Sequence, residues 1–208
     1  MLSSAVSQCP VDVAFIMDSS ECISPASFQK EKNFVKQAAQ KIRVASGQSK
    51  TAIIQFSRSV SLKAQFGQYP SKQAFESAVD GLPHELPRTP SYQAGTQIEE
   101  ALTVAANNVF SRSATSTRRV AVLLTDGKQV IASAEVANLK RAIVSLRKLG
   151  VQLLVVTMDT SSSALDRILK KATERDGDVV MANQFNDLWK KLSSLVSCGK
   201  CSLKKPET

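Results

Sequence analysis

Residues 11–22 read V-D-V-A-F-I-M-D-S-S-E-C, an apolar run that stops at a carboxylate, Asp18, with Ser20 and Cys22 at the next alternate positions. A second apolar run, residues 120–125, stops at Asp126-Gly127, and Gly95-Thr96 opens an amphipathic stretch between the two. If the two runs are parallel strands side by side, Asp18 and Asp126 sit at the same carboxyl edge, where open parallel sheets bind their ligands. Thr96 can then reach that edge from a neighbouring loop. Two carboxylates with hydroxyls and backbone carbonyls make an all-oxygen set, which suits hard divalent cations such as Mg²⁺, Mn²⁺ or Ca²⁺. Holding a cation at a sheet edge is the chemistry these residues can do.

Other chemistries find little support. His84, the single histidine, lies in a proline-rich loop and reads as solvated. With no nucleophile elbow near it, a Ser-His-Asp arrangement has no basis. The Gly-x-Gly and Gly-x4-Gly-Lys fingerprints of nucleotide binding are missing from the sequence. Cys198-Gly-Lys-Cys201 has redox spacing but follows a helix C-terminus, where the dipole opposes a thiolate, so a structural role is expected. Asp159 also follows an apolar run and reads as a surface turn.

The elements that must position these groups are legible from hydrophobic period. Residues 13–17, 51–56, 120–125 and 151–157 are continuous apolar runs; 59–66 alternates, and 178–182 is short. Ser24-Pro25 offers a hydroxyl cap followed by proline at the first helical position. Phe28, Glu31, Val35, Ala38, Ala39 and Ile42 then fall on one face of the helix. Further helical stripes include Ile98 to Val109, Val136 to Leu146, Leu165 to Ala172 and Phe185 to Val196, with a short helix over 71–79. Strands that alternate with helices and are apolar at every position predict an α/β fold. The expected form is a doubly wound, mostly parallel six-stranded sheet with helices on both faces. The alternating run 59–66 is expected to be its one antiparallel edge strand.

A chain of 208 residues suffices for one domain with a sizeable core. No apolar run approaches the ~18 residues needed to cross a bilayer, so membrane insertion is not expected. Residues 1–8 lack the charged and apolar regions of a signal peptide. The net charge of +9 points to an acidic partner. The basic residues scatter along helices rather than forming an aromatic-rich platform, which argues against nucleic acid. Lys140, Arg141, Arg147 and Lys148 can share one side of a helix and form a candidate heparin-like polyanion site. Of the four cysteines, Cys9 and Cys198 bracket the periodic region. Strand 11–17 starts at the edge opposite Asp18, and a last helix following a parallel strand returns to that edge. A Cys9–Cys198 disulfide and an oxidising compartment are therefore expected. Cys22, at the far edge ~20 Å away, cannot join them. Cys201 is left free, intermolecular or in competition with Cys198.

Asp18-x-Ser20-x-Cys22, Gly95-Thr96 and Thr125-Asp126-Gly127 together resemble the metal-ion-dependent adhesion site of von Willebrand factor type A domains. The type is that of the extracellular matrix, as in collagen VI and matrilin-like proteins. The resemblance covers residues 9–198, leaving an N-terminal extension, 1–8, and a basic tail, 199–208. It implies a Rossmann-like fold and a metal set of Asp18, Ser20, Cys22, Thr96 and Asp126. The two Asp act through water in such sites, the hydroxyls coordinate directly, and a ligand carboxylate completes the shell. The departure is Cys22, which stands where the family has Ser; sulfur is a poor ligand for a hard cation. Mg²⁺, or Mn²⁺ or Ca²⁺, is therefore expected to be held weakly. The function implied is a non-enzymatic, secreted module of the extracellular matrix that adheres to a matrix protein, collagen by preference. The alternative is a heparin- or glycosaminoglycan-binding module whose metal site is vestigial. A metal-dependent hydrolase would lack any base beyond the metal carboxylates.

Overall fold

Val11, Val13, Phe15 and Met17 face one core and Ala14 and Ile16 another, all of them buried. Side chains alternate across a strand, so a run that is apolar at every position has to be covered on both sides. In the computed structural model this run is β1 (Val11–Asp18), all eight residues of which are buried. The structure describes residues 10–20, 23–42, 49–84, 97–113, 117–125, 133–157 and 179–182, together with Leu169, Lys190 and Leu192. Parallel neighbours flank β1 on both sides: β2 (Lys50–Phe56) and β4 (Arg118–Thr125). Outside β2 lies β3 (Val60–Ala64), antiparallel; outside β4 lie β5 (Val151–Thr157) and β6 (Val179–Ala182), both parallel. The strand order is β3-β2-β1-β4-β5-β6.

One face is covered by α1 (Pro25–Lys41) and α2 (Lys72–Asp80), which bring Phe28, Phe34, Val35, Phe75 and Val79 to the sheet; Leu192 joins them. The other face carries α3 (Ile98–Val104) and α4 (Ser133–Lys148), with Leu102, Leu139, Ile143 and Leu146 buried, and Leu169 beside them. The mixed α/β sheet with helices on both faces is the architecture that the period predicts. Helix α1 starts where Ser24-Pro25 predicts, the Ser24 hydroxyl accepting from the Ser27 N–H at 3.1 Å. Helix α4 closes at Gly150, whose φ of +70° is the left-handed conformation a helix stop requires.

Three expectations need correcting. The stripe from Ile98 to Val109 is not one helix: α3 widens into a π turn over Ala105–Val109 and tightens into a 3-10 turn over Phe110–Arg112. The change seats Phe110 edge-on against Phe66, ring centroids 5.4 Å apart, a contact between distant segments that no local period encodes. Strand β3 is shorter than 59–66 because Gln65 and Gln68 bond each other around Gly67, whose φ is +78°. His84 is not simply solvated. Its ring is half-buried and stacked on Phe28 at 5.2 Å, because the buried Gln55 amide donates to the Pro83 carbonyl and draws the segment onto α1. Lys32 shares this corner, 5.1 Å from the Phe28 centroid and donating to the Asp80 carbonyl at 2.9 Å. Burial pulls its pKa down from the usual lysine value, Asp80 opposes that, and Lys36 reinforces it.

At the edge opposite Asp18, a buried Asp12 anchors the start of β1. Its Oδ2 accepts from the hydroxyls of Ser113 at 2.6 Å and Thr117 at 2.9 Å. Cys9, Cys198 and Cys201, the extension 1–8, the tail 199–208 and Asp159 lie outside the described residues.

Candidate metal centre

Asp18 is the last residue of β1 rather than the first beyond it, and it is fully buried. Alternation puts it on the same face as Ala14 and Ile16, towards α3 and α4. Across the ladder Leu124 pairs with Met17, so Thr125 comes level with Asp18. The Thr125 hydroxyl donates to Asp18 Oδ2 at 2.9 Å, and the Ser20 N–H donates to Oδ1 at 2.9 Å. One carboxylate is thus held from β4 and from its own loop.

The pleat separates the next two serines. Ser19 turns towards β2, its N–H and hydroxyl both reaching the Phe56 carbonyl, at 2.9 and 3.2 Å. The Ile23 N–H closes onto the Ser20 carbonyl at 3.0 Å. Ser20 itself is 8% exposed, and its Oγ is buried without a hydrogen-bond partner. A polar atom shielded from water and unpaired costs about 1–3 kcal/mol. A hard cation, or a water bound to one, would satisfy it. Asp18 and Ser20 therefore fit a divalent cation by their donor chemistry.

Cys22, Thr96 and Asp126, the other expected ligands, lie outside the described residues. Among the described residues no group of three or more His, Cys, Asp or Glu side chains could hold a metal ion. Gln97, which follows Thr96 in sequence, donates its N–H to the Ser57 carbonyl at 3.4 Å and ties the start of α3 to the end of β2. Both α3 and α4 carry acid in their first turns, Glu99, Glu100 and Glu135. Burial holds the Glu99 carboxyl above the usual glutamate range; Glu135 and Glu100 push the same way, against its own backbone hydrogen bond.

The four basic candidates all lie on α4. Lys140, Arg141 and Lys148 are exposed and Arg147 half-buried, away from the buried Leu139, Ala142, Ile143 and Leu146. The Arg141 guanidinium donates to Asn138 Oδ1.

Two residues around the site are not among the expected ligands. For Thr125 the signals are its place in Thr125-Asp126-Gly127 and its position at the end of the apolar strand expected beside β1. Ser19 falls outside the Asp18-x-Ser20 alternation, and its hydroxyl goes to the Phe56 carbonyl of β2 rather than to the site.

The family model described as von Willebrand factor type A domain matches residues 12–195. Matrilin-3 of Mus musculus is 32% identical over 154 residues, 72% of this chain and 30% of its own length. The collagen alpha-1(XXI) chain of Xenopus laevis is 27% identical over 119 residues, 57% of this chain and 12% of its own length. The chain thus spans under a third of the curated relatives it matches. Among solved structures, proximal thread matrix protein 1 from the mussel byssus matches with a TM-score of 0.71 at 19% identity, over 91% of this chain and 47% of its own. A second structure of that protein, described as having a zinc-occupied MIDAS motif, matches with a TM-score of 0.66 at 24% identity, over 91% and 45%.

Proposed function

Since the chain belongs to the von Willebrand factor type A domain family, we propose that it is a non-catalytic, secreted adhesion module of the extracellular matrix. Its ligand is a collagen-type matrix protein, taken at the carboxyl edge of the sheet through a divalent cation, Mg²⁺ or Mn²⁺. The observation that carries this reading is the buried, unpartnered Ser20 Oγ beside the doubly held Asp18 carboxylate. The cation, when bound, supplies a positive centre for a carboxylate of the partner. Ser20 offers it a hydroxyl, Asp18 an oriented carboxylate, and Thr96 and Asp126 are assigned the remaining protein contacts. Cys22 is the weak member of the set. The likeness to matrilin-3 and to a collagen chain supports the matrix setting. The module extends over 9–198, with a Cys9–Cys198 bridge joining its ends.

A second reading rests on α4, where Lys140, Arg141 and Lys148 are exposed on one helix. It makes the domain a heparin binder. A single panel separates the two: immobilised collagens and heparin, probed with the protein in Mg²⁺, Mn²⁺ or EDTA and over a salt series. Collagen binding in either cation, lost in EDTA, is the expected result. Retention on heparin that ignores EDTA, falls with salt and drops when Arg141 and Lys148 are both changed to Glu would favour the second. Collagen binding that persists unchanged in EDTA would remove the cation from the mechanism.

A further inference from the structure

Resting on the cation site proposed above, we infer that Thr125 is a positioning residue of that site, acting through Asp18 without touching the cation. A carboxylate held at one oxygen still swings about its Cβ–Cγ bond; held at both, it cannot. In Asp18 the first hold is local, the Ser20 N–H on Oδ1 at 2.9 Å. The second comes from another strand, the Thr125 hydroxyl on Oδ2 at 2.9 Å. Ser20 supplies the local hold through its backbone and has its unpartnered Oγ in the same buried corner, so the plane of the carboxylate and the place of that hydroxyl are set together.

Thr125 suits the task for reasons the fold provides. It is fully buried, so water does not compete for its hydroxyl. Its backbone pairs with Thr157 of β5 and follows directly on the Leu124–Met17 pair with β1. A β-branched side chain on such a strand has little χ1 freedom, and rigid elements place supporting groups more tightly than loops do. The hydroxyl spends its single proton on Oδ2. The same contact joins two parts of the site far apart in sequence, so β4 reports its register to the β1 loop through one hydrogen bond.

The test uses Thr125→Val, which keeps the shape and deletes the donor, and Thr125→Ser, which keeps the donor. Mn²⁺ titration by calorimetry is read with hydrogen exchange of the Ser20 amide in EDTA. Partners that orient metal ligands typically govern 10–100-fold in affinity. Thr125→Val should therefore weaken Mn²⁺ by at least about tenfold and speed Ser20 exchange, while Thr125→Ser stays near wild type in both. A purely structural role would lower the melting temperature in EDTA yet leave the Mn²⁺ affinity of the folded protein unchanged, and that overturns the inference. Thr125→Ser as weak as Thr125→Val overturns it too, because the donor would not be what matters. In either case a wild type that binds Mn²⁺ leaves the cation site standing. A wild type that binds none sinks both.

Discussion

In the cation set proposed above, Cys22 brings sulfur where the family has a hydroxyl. A hard cation gains little from a neutral thiol. Deprotonating Cys22 would help, but the two carboxylates of the proposed set, Asp18 and Asp126, would oppose a further negative charge. Cys22→Ser should therefore tighten Mg²⁺ roughly tenfold, of the order seen when a ligand set is perturbed, and strengthen any cation-dependent adhesion without altering the fold. Asp126→Ala should abolish both. Calorimetry of wild type and the two variants decides the matter. Equal affinity in wild type and Cys22→Ser would show that the thiol does not limit the site.

Among the elements, α1 matters to the proposed site because it begins at Pro25, a short stretch of chain after Ser20. Ser24 and Pro25 start it, and Phe28, one turn on, is fastened by the stacked His84. The cap is worth about 1 kcal/mol by analogy with other hydroxyl caps. Ser24→Ala should then lower the melting temperature by about 2–4 °C for a domain of this size, read by calorimetry or circular dichroism. A drop well beyond that range would mean the cap also supports the turn that carries Ser20.

On the scale of the whole molecule, the sheet has two polar poles on the same face of β1. Asp12 is bonded to Ser113 and Thr117 at one end, and Asp18 to Thr125 at the other, with the apolar Ala14 and Ile16 between. The chain enters at the Asp12 pole, and the proposed Cys9–Cys198 bridge would close it there. So long a loop is worth on the order of 4–5 kcal/mol in the chain-entropy account. Non-reducing peptide mapping should recover Cys9 joined to Cys198, with a clear loss of stability in reductant. A Cys9–Cys22 peptide would instead contradict the topology, since β1 separates those positions by its full length.

What the chain determines by itself is whatever period and residue type encode locally. Apolar strands at every position announce a sheet covered twice; Ser24-Pro25 announces a helix start; Asp18-x-Ser20 ahead of it supplies the local part of the oxygen site proposed above. Tertiary structure decided what depends on contacts between distant segments. Thr125 holds Asp18 because two strands 107 residues apart share a register. Ser19 is tied to β2 through the Phe56 carbonyl, 37 residues away, while Ser20 bonds back to Asp18. The stripe after Ile98 breaks into a π turn as Phe110 meets Phe66, and His84 is half-buried because a buried Gln55 captures the carbonyl before it. Each is a pairing that gains its free energy only once the sheet has formed, and a local sequence window holds one partner without the other.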